Sequence, residues 1–147
     1  MRLLLDTHIA LWALVDDSRL PRRAAELIAD PANTIAVSAA SIWEIALKHA
    51  LGRGGPSAMP LSGREAMTYF AQAGYDLLPI SPEHAAAVET LPGLHADPFD
   101  RMLVAQALAE PMRLLTHDAA LAHRCDRVVR LRSGHIDVPA AEHSAAS

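Results

Sequence analysis

Short segments of strand length recur along this chain and alternate with longer segments of helical length. The segments 2–6, 34–37 and 113–116 each contain an uninterrupted apolar run. Such runs are typical of strands that helices cover on both faces, as in a parallel sheet. The alternation of strands and helices therefore predicts an α/β fold, a parallel sheet flanked by helices in an α/β/α sandwich.

Turn and capping residues set the predicted boundaries of the elements. The predicted strands are Arg2–Asp6, Thr34–Val37, Asp76–Ile80, Arg113–Thr116 and Val128–Leu131. The predicted helices are Thr7–Val15, Pro21–Asp30, one from Ser38 or Ser41 to Gly52, Ser62–Ala73, one from Ser81 to Pro92, Asp97–Glu110 and Asp118–His123. Residues 53–62 predict a loop. Residues 133–147 lack periodicity, so we expect a domain over 1–132 followed by a flexible C-terminal tail.

Size and composition indicate a single packed domain. The chain has 147 residues, of which 51% are hydrophobic and 20% charged, a balance that excludes wholesale disorder. No apolar run approaches the ~20 residues of a membrane span, and Asp6 interrupts the first run too early for a signal peptide. The single Cys125 fits a reducing compartment, so we expect a cytoplasmic protein with no membrane association.

The charge of the chain is unevenly distributed. The net charge of −4 does not by itself indicate a nucleic-acid partner, but residues 101–132 carry six arginines against three acidic residues. Arginine suits bidentate contact with phosphate, so Arg124, Arg127 and Arg130 are candidate substrate contacts. The alternatives are that these are solvated arginines of a GC-rich genome, or that Arg53 and the adjoining glycine loop hold the substrate instead.

Four acidic residues, Asp6, Glu44, Asp100 and Asp118, lie within or beside apolar runs. Asp6 ends one predicted strand and Asp118 comes shortly after another, and the carboxyl ends of parallel strands converge on one crevice. Two carboxylates ~5 Å apart at an effective dielectric of ~20 repel by roughly 3 kcal/mol. A hard divalent cation with oxygen ligands, Mg²⁺ or Mn²⁺, relieves that repulsion. The coincidence of four acids predicts a metal-dependent site.

Each acid also has a structural interpretation. Asp6 can cap the following helix, and Glu44 has capping-box spacing from Ser41 and ion-pair spacing to Lys48. Asp118 can cap the helix after it.

The third acidic segment reads DPFDR. Asp97 before Pro98 is typical of an N-cap with proline at the first helical position, which leaves Asp100 in the first turn without a capping role.

Histidines lie near three of these acids, at His8, His95 and His117. They do not indicate zinc, because no HExxH or CxxC spacing exists and the only thiol is isolated. Contact with a carboxylate or with a phosphate is the favoured interpretation.

The segments that carry the acids read LLLDTHIALW, SIWEIALKHALGR, DPFDRMLVAQAL and LLTHD. In this order they resemble the motifs of PIN-domain ribonucleases and, more narrowly, of the VapC toxins of bacterial type II toxin–antitoxin pairs. The resemblance extends over about residues 2–131 and implies a PIN-like fold. It also implies a metal site and catalytic residues at Asp6, Glu44, Asp100 and Asp118, with Thr116 as the hydroxyl residue before the last acid and Asp97 as a further candidate ligand.

The resemblance implies a Mg²⁺- or Mn²⁺-dependent endoribonuclease that forms a pair with a VapB-like antitoxin and a homodimer with itself. Arg101 is a candidate for neutralising charge on the RNA. The helix over 38–51 is apolar all round. We expect one side of it to bind the antitoxin or a second protomer, the alternative being burial under the helix over 62–73.

Two other functions remain open at this stage. A receiver-like phosphate-binding module needs an acidic pair beside its first strand and a lysine after a late strand. Here Asp6 stands alone, and the only lysine, Lys48, is in the middle of a predicted helix. A catalytically inert PIN scaffold would have no reason to keep all four acids.

Overall fold

A computed structural model describes residues 1–52, 58–91 and 97–118, together with the backbone of two strands at 128–132 and 135–137. The strands are β1 (Arg2–Leu5), β2 (Thr34–Ser38), β3 (Asp76–Leu78), β4 (Arg113–Thr116), β5 (Val128–Arg132) and β6 (His135–Asp137). The helices are α1 (Thr7–Leu14), α2 (Arg22–Ala29), α3 (Ala39–Ala50), α4 (Gly63–Gln72), α5 (Pro82–Ala87), which a 3₁₀ turn (Val88–Thr90) follows, and α6 (Pro98–Ala109). None of the helices in these ranges has the length and apolar character needed to cross a membrane.

The six strands form one sheet in the order β3-β2-β1-β4-β5-β6. All neighbouring pairs are parallel except β5 with β6. The strand β1 lies inside the sheet, with Leu4 paired to Ala36 of β2 and to Leu114 of β4. The predicted α/β fold with a parallel sheet is therefore confirmed.

Each face of the sheet has its own hydrophobic core. Leu3 and Leu5 point into one core, with Ile45 of α3 and Phe70 of α4 among its members. Leu4, between them, points into the other core, which Leu103 of α6 shares. Successive side chains of a strand alternate between faces, so a strand covered on both sides must be apolar throughout. That requirement explains the uninterrupted leucine run of β1, whose three leucines are fully buried.

Several predicted boundaries need correction. The strand β3 ends at Leu78 rather than Ile80, because Pro79 has no N–H to donate to the ladder. The helix α3 begins after Ser38, whose side chain accepts from Ala40 N, so the capping box of Ser41 with Glu44 does not form.

The segment 133–147 is not wholly without regular structure, since β6 pairs with β5 in the register Leu131 to Ile136. A three-residue strand has too little sequence for periodicity to detect, and the open edge of β5 determines its pairing. That 1–132 forms the functional domain and that 133–147 is a flexible tail stay predictions. The predicted helix after Asp118 and the first half of the predicted loop at 53–62, residues 53–57, lie outside the described residues.

Candidate active site

A cavity of about 350 Å³ opens at the carboxyl ends of the central strands. Five carboxylates line it, from four separate segments of the chain: Asp6, Glu44, Asp97, Asp100 and Asp118. The remaining lining residues are His8, Trp12, Lys48 and His117. The structure thus brings together all five acids that the sequence marked as candidate ligands.

Asp6 links the end of β1 to the start of α1. Its Oδ1 accepts from Thr7 N at 2.6 Å, which makes it the N-cap of α1, and its Oδ2 accepts from Thr116 Oγ1 at 2.7 Å. Burial raises the pKa of Asp6 and nearby Glu44 adds to that rise, while the two hydrogen bonds and His8 oppose it. The predicted cap is confirmed, and it leaves the carboxylate on the cavity wall.

Glu44 is held at the cavity from two sides. Its Oε1 lies 2.7 Å from Thr7 Oγ1, and its Oε2 lies 2.7 Å from Lys48 Nζ, the predicted ion pair one helical turn away. Thr7 Oγ1 also lies 2.9 Å from Ser41 Oγ. Because a carboxylate only accepts, the single hydroxyl proton of Thr7 belongs to Glu44. The side chain of Glu44 is 9% exposed.

Asp97 and Asp100 occupy the first turn of α6. Asp97 Oδ1 accepts from Phe99 N at 2.8 Å and from Asp100 N at 3.3 Å, so the predicted N-cap before Pro98 is confirmed. Asp100 is half-buried. Its burial, followed by the charges of Asp6, Asp97, Glu44 and Asp118, raises its pKa to about 7.

Thr116 connects two strands at the floor of the site. It is fully buried at the end of β4, donates to Asp6 and accepts from Asp118 N at 3.0 Å. Its hydroxyl therefore orients one carboxylate and fixes the backbone that carries another. The proposed cap by Asp118 involves a helix outside the described residues.

The arginines and histidines proposed as substrate contacts are not all found at the cavity. The structure does not bring Arg101 to the cavity: its guanidinium donates to Val88 O at 3.3 Å, and its Nε is buried without a hydrogen-bond partner. Consecutive side chains of a helix point about 100° apart, so Asp100 and Arg101 face different surroundings. His8 and His117 line the cavity as expected, whereas His95, the side chains of the candidate arginines of 124–130 and the loop at 53–55 lie outside the described residues.

The chemistry of this lining fits a hard divalent cation. In the part of the chain that the structure describes, its anionic donors are carboxylate oxygens, which Mg²⁺ and Mn²⁺ prefer. Among the described residues, no three acidic, histidine or cysteine side chains converge closely enough to hold an ion as they stand.

Most of the chain matches a known family. The sequence model of the PIN domain matches residues 3–126. The chain belongs to the PIN domain family. This membership contradicts the receiver-like alternative and confirms the resemblance seen in the sequence.

Individual relatives agree with the assignment. The curated protein Ribonuclease VapC22 of Mycobacterium tuberculosis (strain ATCC 25618 / H37Rv) is 32% identical over 128 residues, which cover 86% of this chain and 95% of that protein. The structure of VapBC2 from Rickettsia felis, bound to a DNA fragment from its promoter, matches with a TM-score of 0.64 at 19% identity, covering 90% of this chain and 100% of that one. FitAcB from Neisseria gonorrhoeae matches with a TM-score of 0.61 at 19% identity, covering 88% and 96%. At these identities the two structures show a shared fold.

Sequence reasoning missed Thr7, Ser41 and Trp12 as parts of the site. A signal for Trp12 existed, because His8 and Trp12 are four residues apart on one helix face directly after Asp6. No signal marked the hydroxyls of Thr7 and Ser41, whose role depends on α1 packing beside α3.

Proposed function

We propose that this protein is a Mg²⁺- or Mn²⁺-dependent endoribonuclease that acts as the toxin of a VapBC-type toxin–antitoxin pair. The observation that carries the proposal is the single cavity in which five carboxylates from four segments meet. Membership of the PIN domain family and the ribonuclease name of its relative at 32% identity support the same function. The lone Cys125 is consistent with action in the cytoplasm.

In this proposal Asp6 and Asp100 hold the cation, and Glu44, Asp118 and Asp97 complete or support its surroundings. A divalent cation there supplies positive charge to the phosphodiester and makes a water molecule more acidic. Glu44 and Asp118 accept hydrogen bonds from the attacking water and orient it in line with the bond that breaks.

The neighbours of the carboxylates have positioning roles. The donors Thr7 N and Thr116 Oγ1 each occupy one oxygen of Asp6 and leave lone pairs for a ligand. Lys48 reduces the negative charge that an approaching phosphate meets, because it is paired with Glu44 and lines the cavity. Asp100, with its pKa of about 7, must release its proton before it can hold a cation.

Cleavage of RNA in the presence and absence of divalent metal tests the proposal. We expect the wild-type protein to cut RNA with Mg²⁺ or Mn²⁺ and to stop in EDTA. Asp100→Asn should lose at least about 100-fold in activity, since a neutral amide holds a divalent cation poorly. Glu83→Gln, which neutralises an exposed acid on α5, is the matched control. Cleavage that persists in EDTA or in Asp100→Asn would refute the metal site, and DNA as a parallel substrate tests the preference for RNA.

We also propose that an apolar stripe on α3 binds the antitoxin or a second protomer. Helix α4 packs on α3 but leaves Trp43, Leu47 and Leu51 exposed at 57%, 45% and 61%, beside Met67 of α4 at 40%. The alternative of complete burial under α4 is thus wrong for this stripe. Contiguous exposed apolar surface of this kind is typical of interaction sites. The names of the VapBC structures that share the fold support an antitoxin as one partner.

A further inference from the structure

Part of the cavity lining consists of rings rather than carboxylates. The indole of Trp12 lies 5.9 Å from the imidazole of His8, with 26° between the ring planes, and 5.9 Å from the imidazole of His117, which meets it edge-on at 72°. Trp12, His8 and His117 all line the cavity that the acids line. The guanidinium of Arg19 lies 5.4 Å from the centre of the Trp12 ring.

Packing alone does not account for this group, which we call the Trp12 cluster (His8, Trp12, Arg19 and His117). Trp12 is only half-buried, and the two histidines and Arg19 are exposed. Arg19 is also held in place, since its Nε and one terminal nitrogen contact Asp17 at 3.1 and 2.8 Å. An indole surrounded by imidazoles and an anchored guanidinium presents the flat and cationic groups that bind bases and phosphates.

The acids of the cavity can hold a cation near a phosphate, but they cannot bind a base by stacking. In the proposed function the carboxylates would hold a cation at the phosphodiester, and their oxygens offer no flat surface to a base. A cavity of about 350 Å³ is within the range that small ligands occupy, and its two kinds of lining match the two parts of a nucleotide.

We propose that the Trp12 cluster is a base-stacking subsite, in which Trp12 stacks on an unpaired base of the nucleotide beside the phosphate that is cut. His8 and His117 flank that base, and Arg19 contacts it or its phosphate. This inference rests on the proposed ribonuclease function. It adds a base-binding residue to that function: a base within a duplex is stacked on both faces and cannot reach an indole, so the base that Trp12 holds is an unpaired one.

Fluorescence tests the stacking directly. The chain has two tryptophans, so Trp43→Phe leaves Trp12 as the only indole. We combine it with Asp100→Asn to prevent cleavage and titrate the protein with a short single-stranded RNA, the same RNA as a duplex, and an abasic ribose-phosphate oligomer. We expect saturable quenching by the single strand alone. Equal quenching by the abasic oligomer, or binding by anisotropy without quenching, would overturn the subsite.

Kinetics separate stacking from packing. Trp12→Leu keeps an apolar side chain but removes the ring, and we expect it to raise KM about 10-fold or more with kcat within about 2-fold. Trp12→Phe should restore most of that loss. Tyr69→Leu, which removes an exposed aromatic ring of α4 outside the cavity, should change neither constant. Thermal melts verify folding. If Trp12→Leu does not fold, His8→Ala gives a second test, because His8 is exposed and its loss should not affect folding. We expect this variant to raise KM about 3-fold. An unchanged KM in the folded variants would contradict the proposal.

The two proposals fail in different ways. A wild-type protein that cuts no RNA with Mg²⁺ or Mn²⁺ contradicts the ribonuclease function, whatever the fluorescence shows. A protein that cuts RNA normally, with no quenching and no effect of Trp12→Leu on KM, contradicts the stacking subsite alone.

Discussion

Two threonine hydroxyls orient the carboxylates of this site through hydrogen bonds. Thr116 holds Asp6 at 2.7 Å, and Thr7 holds Glu44 at 2.7 Å. Both threonines are buried, so neither carboxylate has water as a substitute donor on that side. A buried acceptor that loses its donor costs about 1–3 kcal/mol.

Thr7→Val removes the hydroxyl and keeps the shape of the side chain. We expect it to lower the free energy of unfolding by about 1–3 kcal/mol and to reduce cleavage, because Glu44 and Ser41 each lose a partner. Thr7→Ser keeps the hydroxyl and is the matched control. Urea unfolding and RNA cleavage measure the two effects, and equal behaviour of the two variants would contradict the role assigned to the hydroxyl.

The charge state of Asp100 gives the stability of the protein a distinctive pH dependence. Its pKa is about 7 in the folded protein and about 3.9 in an unfolded chain, so between these values the folded state binds more protons. The free energy of unfolding therefore falls as the pH rises from about 4 to 7, and the loss is complete above the folded pKa.

The free energy of unfolding of Asp100→Asn should not fall in this way as the pH rises, because the amide does not titrate. In EDTA we expect the variant to be more stable than the wild type at pH 8, by about 1 kcal/mol after solvent screening of a half-buried group, and nearly equal to it at pH 4.5. Urea unfolding at the two pH values measures the difference. A variant that is less stable than the wild type at pH 8 would show that Asp100 has a structural role instead.

At the scale of elements, a close approach of two helices shapes the surface beside the site. A Cβ on Gly63, the first residue of α4, would lie 2.6 Å from the Cβ of Ala46 on α3 and 3.3 Å from Ile42 O. The absence of a side chain at Gly63 is what lets α4 pack this tightly on α3.

Gly63→Ala should destabilise the protein by about 1–3 kcal/mol, although alanine is the better helix former, because the two helices must separate. Ala46→Gly in the same chain removes the nearer clash and should recover part of the loss. Thermal or urea unfolding of both single variants and of the double variant gives the coupling between the sites. Purely additive effects would contradict the close contact.

Polar side chains also join the elements around the site. Ser38, the N-cap of α3, donates to Gln106 of α6, and Gln106 donates to Pro79 O at 3.3 Å. His84 of α5 contacts Glu110 Oε1 at 2.7 Å through its Nε2. The bond of Ser38 with Gln106 links the start of α3 to α6. These two helices carry Glu44 and Asp100, so the distance between those acids depends on the packing of both helices.

At the scale of the whole molecule, the apolar stripe of α3 is expected to govern association. Leu47→Glu with Leu51→Glu should leave the fold intact, since both side chains are exposed, and should weaken binding to a VapB-like antitoxin or self-association by at least about 10-fold. Val15→Glu is the matched control, because Val15 is as exposed as Leu51, at 61%. Light scattering and binding titrations measure the outcome, and unchanged association in the double variant would contradict the proposed interface.

The sequence alone determined the fold class and the identities of the acids. Continuous apolar runs require a strand buried on both faces, and strands alternating with helices require parallel pairing. Asp6 after β1 and the DPFD segment before α6 were therefore assignable, as were the caps by Asp6 and Asp97, which involve only neighbouring residues. The capping box of Ser41 with Glu44 was not, because α3 begins after Ser38 instead. The short strand β6 was not, since its pairing is decided by the edge it meets.

Only the tertiary structure decided how the acids are held and which other residues share their cavity. Thr7, Ser41 and Trp12 acquire their roles because α1 packs beside α3 and β4, contacts between residues far apart in the chain. Arg101 follows Asp100 directly, yet it faces Val88, because the helix turns successive side chains in different directions. Local patterns determine which residues can be catalytic, and packing determines which of them meet.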